Sequence, residues 1–175
     1  MYSFGGESLP SAILSDESRW GELDIAGFTK KNSRDIREPE IFACARELRS
    51  KYKKVGAVGY CFGGWAVFRL GAKGNNLVDC IVTGHPTWLT KEDIDNVGVA
   101  VQVLAPEHDP VYTAELKEHT WKTVQRLGVP FDYQHFPGVR HACFTRGSPE
   151  QDGEQEAMVR GKNAAVAWFK QYLHG

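Results

Sequence analysis

A cysteine lies between glycines where the sequence changes from a strand-like to a helix-like pattern. Cys61 belongs to the segment Gly-Tyr-Cys-Phe-Gly-Gly at 59–64, which follows the apolar run 55–60 and opens a helix-like stretch at 62–72. A nucleophile with a glycine two residues before and after it is typical of a sharp strand-to-helix turn, since glycine has no Cβ to obstruct the bend. The helix N-terminus beneath the thiol favours the reactive thiolate. We therefore predict that Cys61 is a nucleophile.

Asp109 and His141, which lie much later in the chain, complete a candidate catalytic group with Cys61. Asp109 follows the strand-like run 99–104, and His141 follows the strand-like run 131–136. Cysteine, aspartate and histidine in this order, each after a predicted strand, match the order of a nucleophile–acid–base triad. In such a triad Asp109 orients the imidazole, His141 exchanges the proton and Cys61 attacks the substrate.

Each of these residues also has a structural interpretation. The segment at 59–64 could be a phosphate-binding loop or hold an ordinary buried cysteine, although the sequence has neither G-x-G-x-x-G nor Gly-Lys-Ser/Thr. Asp109 could be a turn or helix-cap residue, and His141 could be structural. Glu107 and His108 are the nearest rivals for the acid and base roles, but His108 is adjacent to Asp109 and is a poor partner for it.

The remaining cysteines and a second loop carry weaker signals. Cys44 and Cys80 lie in apolar segments and are predicted to be small core residues, whereas Cys143 could line a pocket. His85 and Trp88 follow the strand-like run 80–83, so they are predicted to form a pocket wall, with ordinary loop packing as the alternative.

Helix-like and strand-like segments alternate from residue 38 onward. This alternation predicts an α/β fold with a mostly parallel sheet of about four strands flanked by helices. Ligands in such sheets bind outside the carboxyl ends of the strands, where the three candidate residues lie. We expect one domain over 1–175, with an irregular segment at 1–33 and a core at 34–175. The predicted helices are 38–52, 62–72, 112–127 and 155–173, and the predicted strands are 55–60, 80–83, 99–104 and 131–136.

Composition restricts the function classes. The chain has 175 residues, 42% of them apolar, and a formal net charge of −1, which predicts one globular domain and argues against a nucleic-acid partner. The sequence has no apolar run long enough for a membrane helix and no secretory signal at its start, so we expect a cytoplasmic protein. Four cysteines without a C-x-x-C pair indicate reduced thiols. No metal or organic cofactor is implied, and the expected ligand is a small-molecule substrate.

Three stretches resemble the dienelactone hydrolase family of α/β-hydrolases, and fungal members more than bacterial ones. They are 59–64, the Pro-Glu-His-Asp segment ending at Asp109, and 141–147. The resemblance implies hydrolysis of a small lactone or ester through a thioester acyl-enzyme. It also implies that the Phe62 N–H is an oxyanion donor and that Arg146 anchors a substrate carboxylate, although Arg146 lies one residue farther from His141 than in bacterial members. We further expect that substrate contacts include Tyr60, His85 and Trp88.

The resemblance also implies a truncated fold. Family members carry several strands before the helix that precedes the nucleophile, whereas this chain starts almost at that helix. The strand at 55–60 is then expected to be a sheet edge, covered by a second copy of the chain, by the N-terminal 30 residues or by a partner protein. The second oxyanion donor is expected to be missing, and loss of one such donor lowers the rate by roughly 10²–10³.

Three functions therefore stay open from the sequence. The first is hydrolysis of a small lactone, ester or thioester by a Cys–Asp–His triad. The second is non-hydrolytic cyclisation, dehydration or isomerisation of a secondary metabolite such as a polyketide, with His141 and Asp109 as acid and base. The third is a catalytically impaired binding protein.

Overall fold

The computed structural model describes residues 10, 13 and 17–174, and divides the chain into two compact units at 1–46 and 47–175. A short 3₁₀ helix spans Glu17–Glu22. The α-helices are α1 (Ile25–Lys31), α2 (Arg34–Lys51), α3 (Gly63–Leu70), α4 (Lys91–Asp95), α5 (Ala114–Arg126), α6 (Cys143–Arg146) and α7 (Glu154–Leu173). The strands are β1 (Gly56–Tyr60), β2 (Cys80–Gly84), β3 (Ala100–His108) and β4 (Phe131–Arg140). The single-domain organisation stays a prediction.

The first unit is helical where the sequence analysis predicted an irregular segment, so that prediction is wrong for the described part of 1–33. Helix α1 begins after Asp24, whose side chain accepts a hydrogen bond from the Gly27 N–H at 2.8 Å. Lys30 and Lys31 end the helix with the charge that its C-terminus favours. Residues 1–9, 11–12 and 14–16 lie outside the described residues.

Helix α2 begins earlier than predicted. The N–H groups of Ile36 and Arg37 donate to the Ser33 carbonyl, which starts the helix near Arg34 rather than at Glu38. Pro39 therefore lies inside the helix and not in its first turn. Pro39 has no N–H, so α2 lacks one backbone hydrogen bond at this position.

The four strands form one parallel sheet in the order β1-β2-β3-β4. The carboxyl ends are aligned in pairs: Tyr60 of β1 pairs with Gly84 of β2, and His108 of β3 pairs with Arg140 of β4. The parallel sheet flanked by helices confirms the predicted fold class. Strands β3 and β4 run farther than their apolar cores predicted, because their pairing continues past an irregularity between Pro106 and His108.

Helices cover the sheet on opposite faces. A Cβ added to Gly59 would meet the backbone of Gly63 and the side chain of Val67 in α3, whereas one added to Gly56 would meet Phe169 of α7. Side chains three positions apart on a strand point to opposite faces, so α3 and α7 lie on different sides of the sheet. The core on the α7 side comprises Cys80, Val82, Ala100, Leu104, Phe136, Val139, Cys143, Phe144, Ala157, Ala165 and Trp168.

Among the described residues, none of the helices combines the length and the apolar character needed to cross a lipid bilayer.

Candidate active site

Cys61 is the first residue after β1 and occupies a strained turn. Its φ of 48° is in the left-handed region, which residues other than glycine rarely adopt. Two hydrogen bonds hold the turn: the Cys61 N–H donates to the Gly84 carbonyl at 3.1 Å, and the Gly64 N–H donates to the Cys61 carbonyl at 2.9 Å. The bend places the thiol beyond the strand end and next to the first turn of α3.

The glycines around Cys61 are not equally constrained. A Cβ on Gly59 would lie 2.1 Å from the Gly63 carbonyl oxygen, and one on Gly64 would lie 2.3 Å from Pro86 Cβ. A Cβ on Gly63 would meet no heavy atom within 4 Å. The expectation that tight space requires both glycines of the Gly-x-Cys-x-Gly pattern is therefore wrong for Gly63, since the close approach after the cysteine occurs at Gly64.

The structure brings Cys61, Asp109 and His141 together. His141 Nε2 lies 3.2 Å from Cys61 Sγ. On the other side of the ring, His141 Nδ1 lies 2.9 Å from Asp109 Oδ1 and 3.0 Å from Oδ2. The Asp109 side chain is fully buried and that of His141 is 20% exposed. The imidazole thus lies between a thiol and a carboxylate at hydrogen-bonding distances, which is the geometry that nucleophilic catalysis needs.

Strand pairing explains why Asp109 reaches His141. These residues directly follow the paired residues His108 and Arg140, and the His141 N–H donates to the His108 carbonyl at 3.1 Å. Asp109 Oδ1 also accepts the N–H groups of Val111 and Tyr112, both at 2.9 Å. Asp109 is therefore a turn-forming residue and the partner of His141 at the same time, so its two sequence interpretations are compatible.

The neighbours of Cys61 favour its thiolate. Burial opposes ionisation, but hydrogen bonds from His141, His85 and Thr87 outweigh it and lower the pKa of the thiol to about 5. Burial also disfavours a charged His141, but the hydrogen bonds with Asp109 and Cys61 raise its pKa to about 9. Between these values the pair exists as a thiolate and an imidazolium.

Two residues of the loop after β2 contact Cys61. His85 is fully buried, and its Nδ1 accepts the Cys61 N–H at 3.1 Å. The Thr87 hydroxyl lies 3.4 Å from Cys61 Sγ, and its N–H donates to the Cys61 carbonyl at 2.8 Å. His85 was predicted to form a pocket wall, whereas the contact of Thr87 with Cys61 was not predicted. The one available signal was the position of Thr87 in a loop that follows a buried strand.

A profile of the dienelactone hydrolase family matches residues 15–173, which is most of the chain. The chain belongs to the dienelactone hydrolase family. It is 32% identical to hydrolase tropI of Talaromyces stipitatus over 178 aligned positions, which cover 94% of this chain and 69% of tropI. It is 26% identical to hydrolase pyvD of Aspergillus violaceofuscus, with 78% of this chain and 56% of pyvD covered. The chain thus spans about two thirds of one relative and just over half of the other. The family and these relatives support a hydrolase.

Solved structures support the fold of this family member. The dienelactone hydrolase-like promiscuous phosphotriesterase P91 from metagenomic libraries superimposes with a TM-score of 0.66 and is 20% identical. The match covers 90% of this chain and 69% of P91. At this identity the likeness concerns the fold alone, which agrees with the parallel sheet described above.

The residues that flank Cys61 in this dienelactone hydrolase family member are aromatic. The Phe62 ring contacts Trp88 in an edge-to-face arrangement with centroids 5.0 Å apart. The Tyr60 ring centroid lies 5.7 Å from that of His85 and 6.4 Å from that of Phe144. The substrate contacts of Tyr60, His85 and Trp88 and the oxyanion role of the Phe62 N–H stay predictions.

Arg146 is paired with a buried carboxylate close to His141. Its guanidinium forms a two-pronged ion pair with Glu154, whose side chain is 1% exposed, and Nε lies 3.0 Å from Oε2. Nη2 also approaches the His141 carbonyl at 3.4 Å. The pair with Glu154 engages Nε and Nη2 of the guanidinium and ties the loop that carries His141 to α7. The role of Arg146 as an anchor for a substrate carboxylate stays a prediction.

The other candidate groups lie outside this cluster. Glu107 and His108 are exposed, and the Glu107 carboxylate accepts the Gly138 N–H at 2.7 Å. Cys80 and Cys143 are fully buried, and burial raises their pKa values to about 11 and about 12. Cys143 is thus a core residue and does not line an accessible pocket.

Proposed function

We propose that the protein hydrolyses a small lactone, ester or thioester through a thioester acyl-enzyme on Cys61. The observation that carries this proposal is the continuous contact from Cys61 Sγ to His141 Nε2 at 3.2 Å and from His141 Nδ1 to the Asp109 carboxylate at 2.9 Å. A thiolate held beside an imidazolium is ready both to attack a carbonyl carbon and to protonate the leaving group.

The reaction follows from these positions in two halves. The Cys61 thiolate attacks the carbonyl carbon, and the negative charge that forms on the carbonyl oxygen is stabilised by the Phe62 N–H at the start of α3. The tetrahedral adduct then collapses, and His141 Nε2 gives its proton to the departing oxygen or sulfur atom. The product of this half-reaction is a thioester on Cys61.

Water completes the second half. The now neutral His141 removes a proton from a water molecule, which attacks the thioester carbonyl. Cys61 leaves as a thiolate and the acid product departs, so the net change is the addition of one water to the substrate. Asp109 holds the His141 ring in the required orientation throughout, and its own pKa is kept low because hydrogen bonds from His141 and the backbone outweigh the effect of burial.

The test uses p-nitrophenyl acetate and a simple aromatic lactone with the wild type and Cys61→Ala. We expect turnover by the wild type, an acylated peptide containing Cys61 in quenched samples, and no turnover by Cys61→Ala. Cys44→Ala is the matched control, since Cys44 lies on α2 and should leave the rate unchanged.

Two results would contradict the proposal. One is undiminished hydrolysis by Cys61→Ala. The other is a product formed without addition of water and abolished by His141→Ala but not by Cys61→Ala, which would favour the non-hydrolytic acid–base alternative.

A further inference from the structure

Three side chains that bind soft metal ions converge at the carboxyl ends of the strands. Cys61, His85 and His141 each offer one ligand atom, and these atoms all lie within 4.8 Å of one another. We propose that the three residues form a binding site for Zn²⁺ and that the bound ion blocks the nucleophile. The inhibitory consequence rests on the proposed function, whereas the binding itself does not.

The distances suit zinc. Zinc–sulfur bonds of about 2.3 Å and zinc–nitrogen bonds of about 2.0–2.1 Å in a tetrahedral arrangement place a sulfur and a nitrogen ligand about 3.5 Å apart. Cys61 Sγ and His141 Nε2 are already 3.2 Å apart. Since all three ligand atoms lie within 4.8 Å of one another, the His85 nitrogen has to move closer to the other two by about 1.3 Å at most. Small side-chain movements therefore bring all three atoms into the first coordination shell.

The ligand types select the metal. One thiolate and two imidazoles match zinc, whereas Mg²⁺ and Ca²⁺ prefer oxygen ligands. Three protein ligands leave the fourth tetrahedral position to water. One thiolate and two imidazoles can therefore bind Zn²⁺ but are unsuitable ligands for Mg²⁺ or Ca²⁺.

His85 supplies an independent observation. It is fully buried, and within the part of the chain that the structure describes its Nε2 has no hydrogen-bond partner. Buried polar atoms are rarely left in this state. The hydrolytic steps proposed above transfer no proton through His85, whose hydrogen bonding only helps to lower the pKa of Cys61. The described protein groups therefore leave the His85 ring with one unengaged nitrogen, and this ring is one of the three metal-binding groups that lie within 4.8 Å of one another.

The surroundings of His141 also resemble those of a metal ligand. Its Nδ1 lies 2.9 Å from the Asp109 carboxylate, so Nε2 points toward Cys61. Histidine ligands of zinc commonly hold a carboxylate through their other ring nitrogen, which fixes the ring and raises its basicity. The contact that prepares His141 for proton transfer thus prepares it equally for metal binding.

The binding step is balanced as a ligand exchange. Zinc forms one bond to sulfur and two to nitrogen, keeps one water at the fourth tetrahedral position and releases its other bound waters to solvent. The single proton shared between Cys61 Sγ and His141 Nε2 passes to solvent, and nothing is oxidised or reduced. Because the sulfur and nitrogen lone pairs are then engaged by the ion, Cys61 cannot attack and His141 cannot carry a proton.

Binding is tested without a substrate. Protein stripped with a chelator is titrated with Zn²⁺, and alkylation of Cys61 by iodoacetamide is followed by peptide mass spectrometry. Co²⁺ replaces zinc in a parallel absorption experiment. We expect saturable one-site protection of Cys61 and a tetrahedral cobalt spectrum with thiolate charge transfer, and Cys61→Ser should remove that charge transfer.

Two variants isolate His85. His85→Phe keeps the ring that stacks on Phe144, whose centroid lies 5.4 Å away, and His85→Gln keeps an acceptor for the Cys61 N–H should the first variant fail to fold. Each should weaken zinc binding at least ~10-fold, the smallest loss seen when even an orienting partner is removed from a metal site. His119→Ala is the control, since His119 pairs with Asp95 away from the cluster, and it should bind like the wild type.

The proposal is overturned if Zn²⁺ leaves the alkylation of Cys61 unchanged, if both His85 variants bind zinc as tightly as the wild type, or if Mg²⁺ protects equally well. Hydrolysis by the metal-free protein is measured separately. Zinc protection without hydrolysis would refute only the proposed function, and hydrolysis without zinc protection would refute only the metal site.

Discussion

At the residue scale, the reactivity of Cys61 comes from its partners and not from exposure. Burial by itself would keep the thiol protonated, as it does at Cys80 and Cys143, whose pKa values it raises. At Cys61 the hydrogen bonds from His141, His85 and Thr87 reverse this effect. All three partners lie at least 24 residues from Cys61 in the sequence. The reactivity of the thiol is therefore a property of the folded state.

The first prediction concerns selective alkylation. At pH 6–7 iodoacetamide should modify Cys61 much faster than Cys80 or Cys143, because a pKa of about 5 makes Cys61 a thiolate whereas the others stay protonated and buried. Peptide mass spectrometry over time measures each rate. Cys44→Ala serves as the control and should leave the rate at Cys61 unchanged. Equal rates at all sites, or an inert Cys61, would contradict the electrostatic argument.

The second prediction concerns the pH profile of hydrolysis. Attack needs the Cys61 thiolate, so kcat/KM should rise as pH increases through about 5; protonation of the leaving group needs charged His141, so it should fall through about 9. His85 and Asp109 also face this pair, and their pKa values are lowered. Because these ionisable groups interact, the rise and the fall of kcat/KM report apparent pKa values of the whole cluster and not of single residues.

The variant Asp109→Asn tests in which direction the upper limb of the pH profile moves when the carboxylate beside His141 is removed. Removing the carboxylate removes a cause that raises the pKa of His141, so the upper limb should move to lower pH as the maximum rate falls. An upper limb that stays in place, or moves to higher pH, would show that Asp109 does not act through His141.

At the element scale, each strand is followed directly by one residue of the candidate site. Cys61, His85, Asp109 and His141 are the first residues after β1, β2, β3 and β4. Since paired parallel strands end side by side, Cys61 meets His85 beyond one pair of ends, and Asp109 meets His141 beyond the other. Strand pairing thus accounts for these two contacts, whereas the 3.2 Å contact between Cys61 Sγ and His141 Nε2 joins residues that follow unpaired strands and depends on the loops.

Sequence patterns predicted this arrangement in part. Apolar runs locate strands, so the fold class and the positions of Cys61, Asp109 and His141 after strand ends were predictable. The contact between Cys61 and His85 depends on strand register, which a single sequence does not specify. Helix α1 was missed because none of its residues is buried, so the apolar periodicity that reveals helices is weak there. The pairing of Arg146 with Glu154 depends on the tertiary approach of α6 and α7.

The third prediction separates two adjacent glycines of the nucleophile turn. Gly64→Ala should sharply reduce the stability and the reactivity of Cys61, because its Cβ would lie 2.3 Å from Pro86 Cβ and the loop after β2 would have to shift. Gly63→Ala is the matched control: its Cβ has open space at the first position of α3, and alanine favours a helix by ~0.5–1 kcal/mol over glycine. Thermal unfolding and alkylation rates measure both effects. A harmful Gly63→Ala together with a tolerated Gly64→Ala would refute this account of the turn.

At the scale of the whole molecule, the strand that carries the nucleophile lies at one side of the sheet. In the described residues β1 pairs only with β2, and its Val58 side chain is 49% exposed, whereas every residue of β2 is buried. An apolar strand at a sheet edge is a template for pairing with another chain. We propose that a second copy of the chain covers β1. Antiparallel pairing of two β1 strands about Val58 is self-complementary and places Lys53 and Lys54 beyond the paired residues.

The last prediction tests this association with a charge on the edge. Val58→Lys should convert a concentration-dependent dimer to a single chain in size-exclusion chromatography with light scattering, because an edge lysine is the device that natural sheets use against such pairing. Val166→Lys is the control, since Val166 is 46% exposed on α7 and a lysine there should leave the dimer intact. A wild type with the mass of one chain at every concentration would exclude the dimer. If Val58→Lys also slows the alkylation of Cys61, pairing of β1 with the second chain helps to hold the turn at Cys61. An unchanged rate would show that the sheet and α3 hold Cys61 without the second chain.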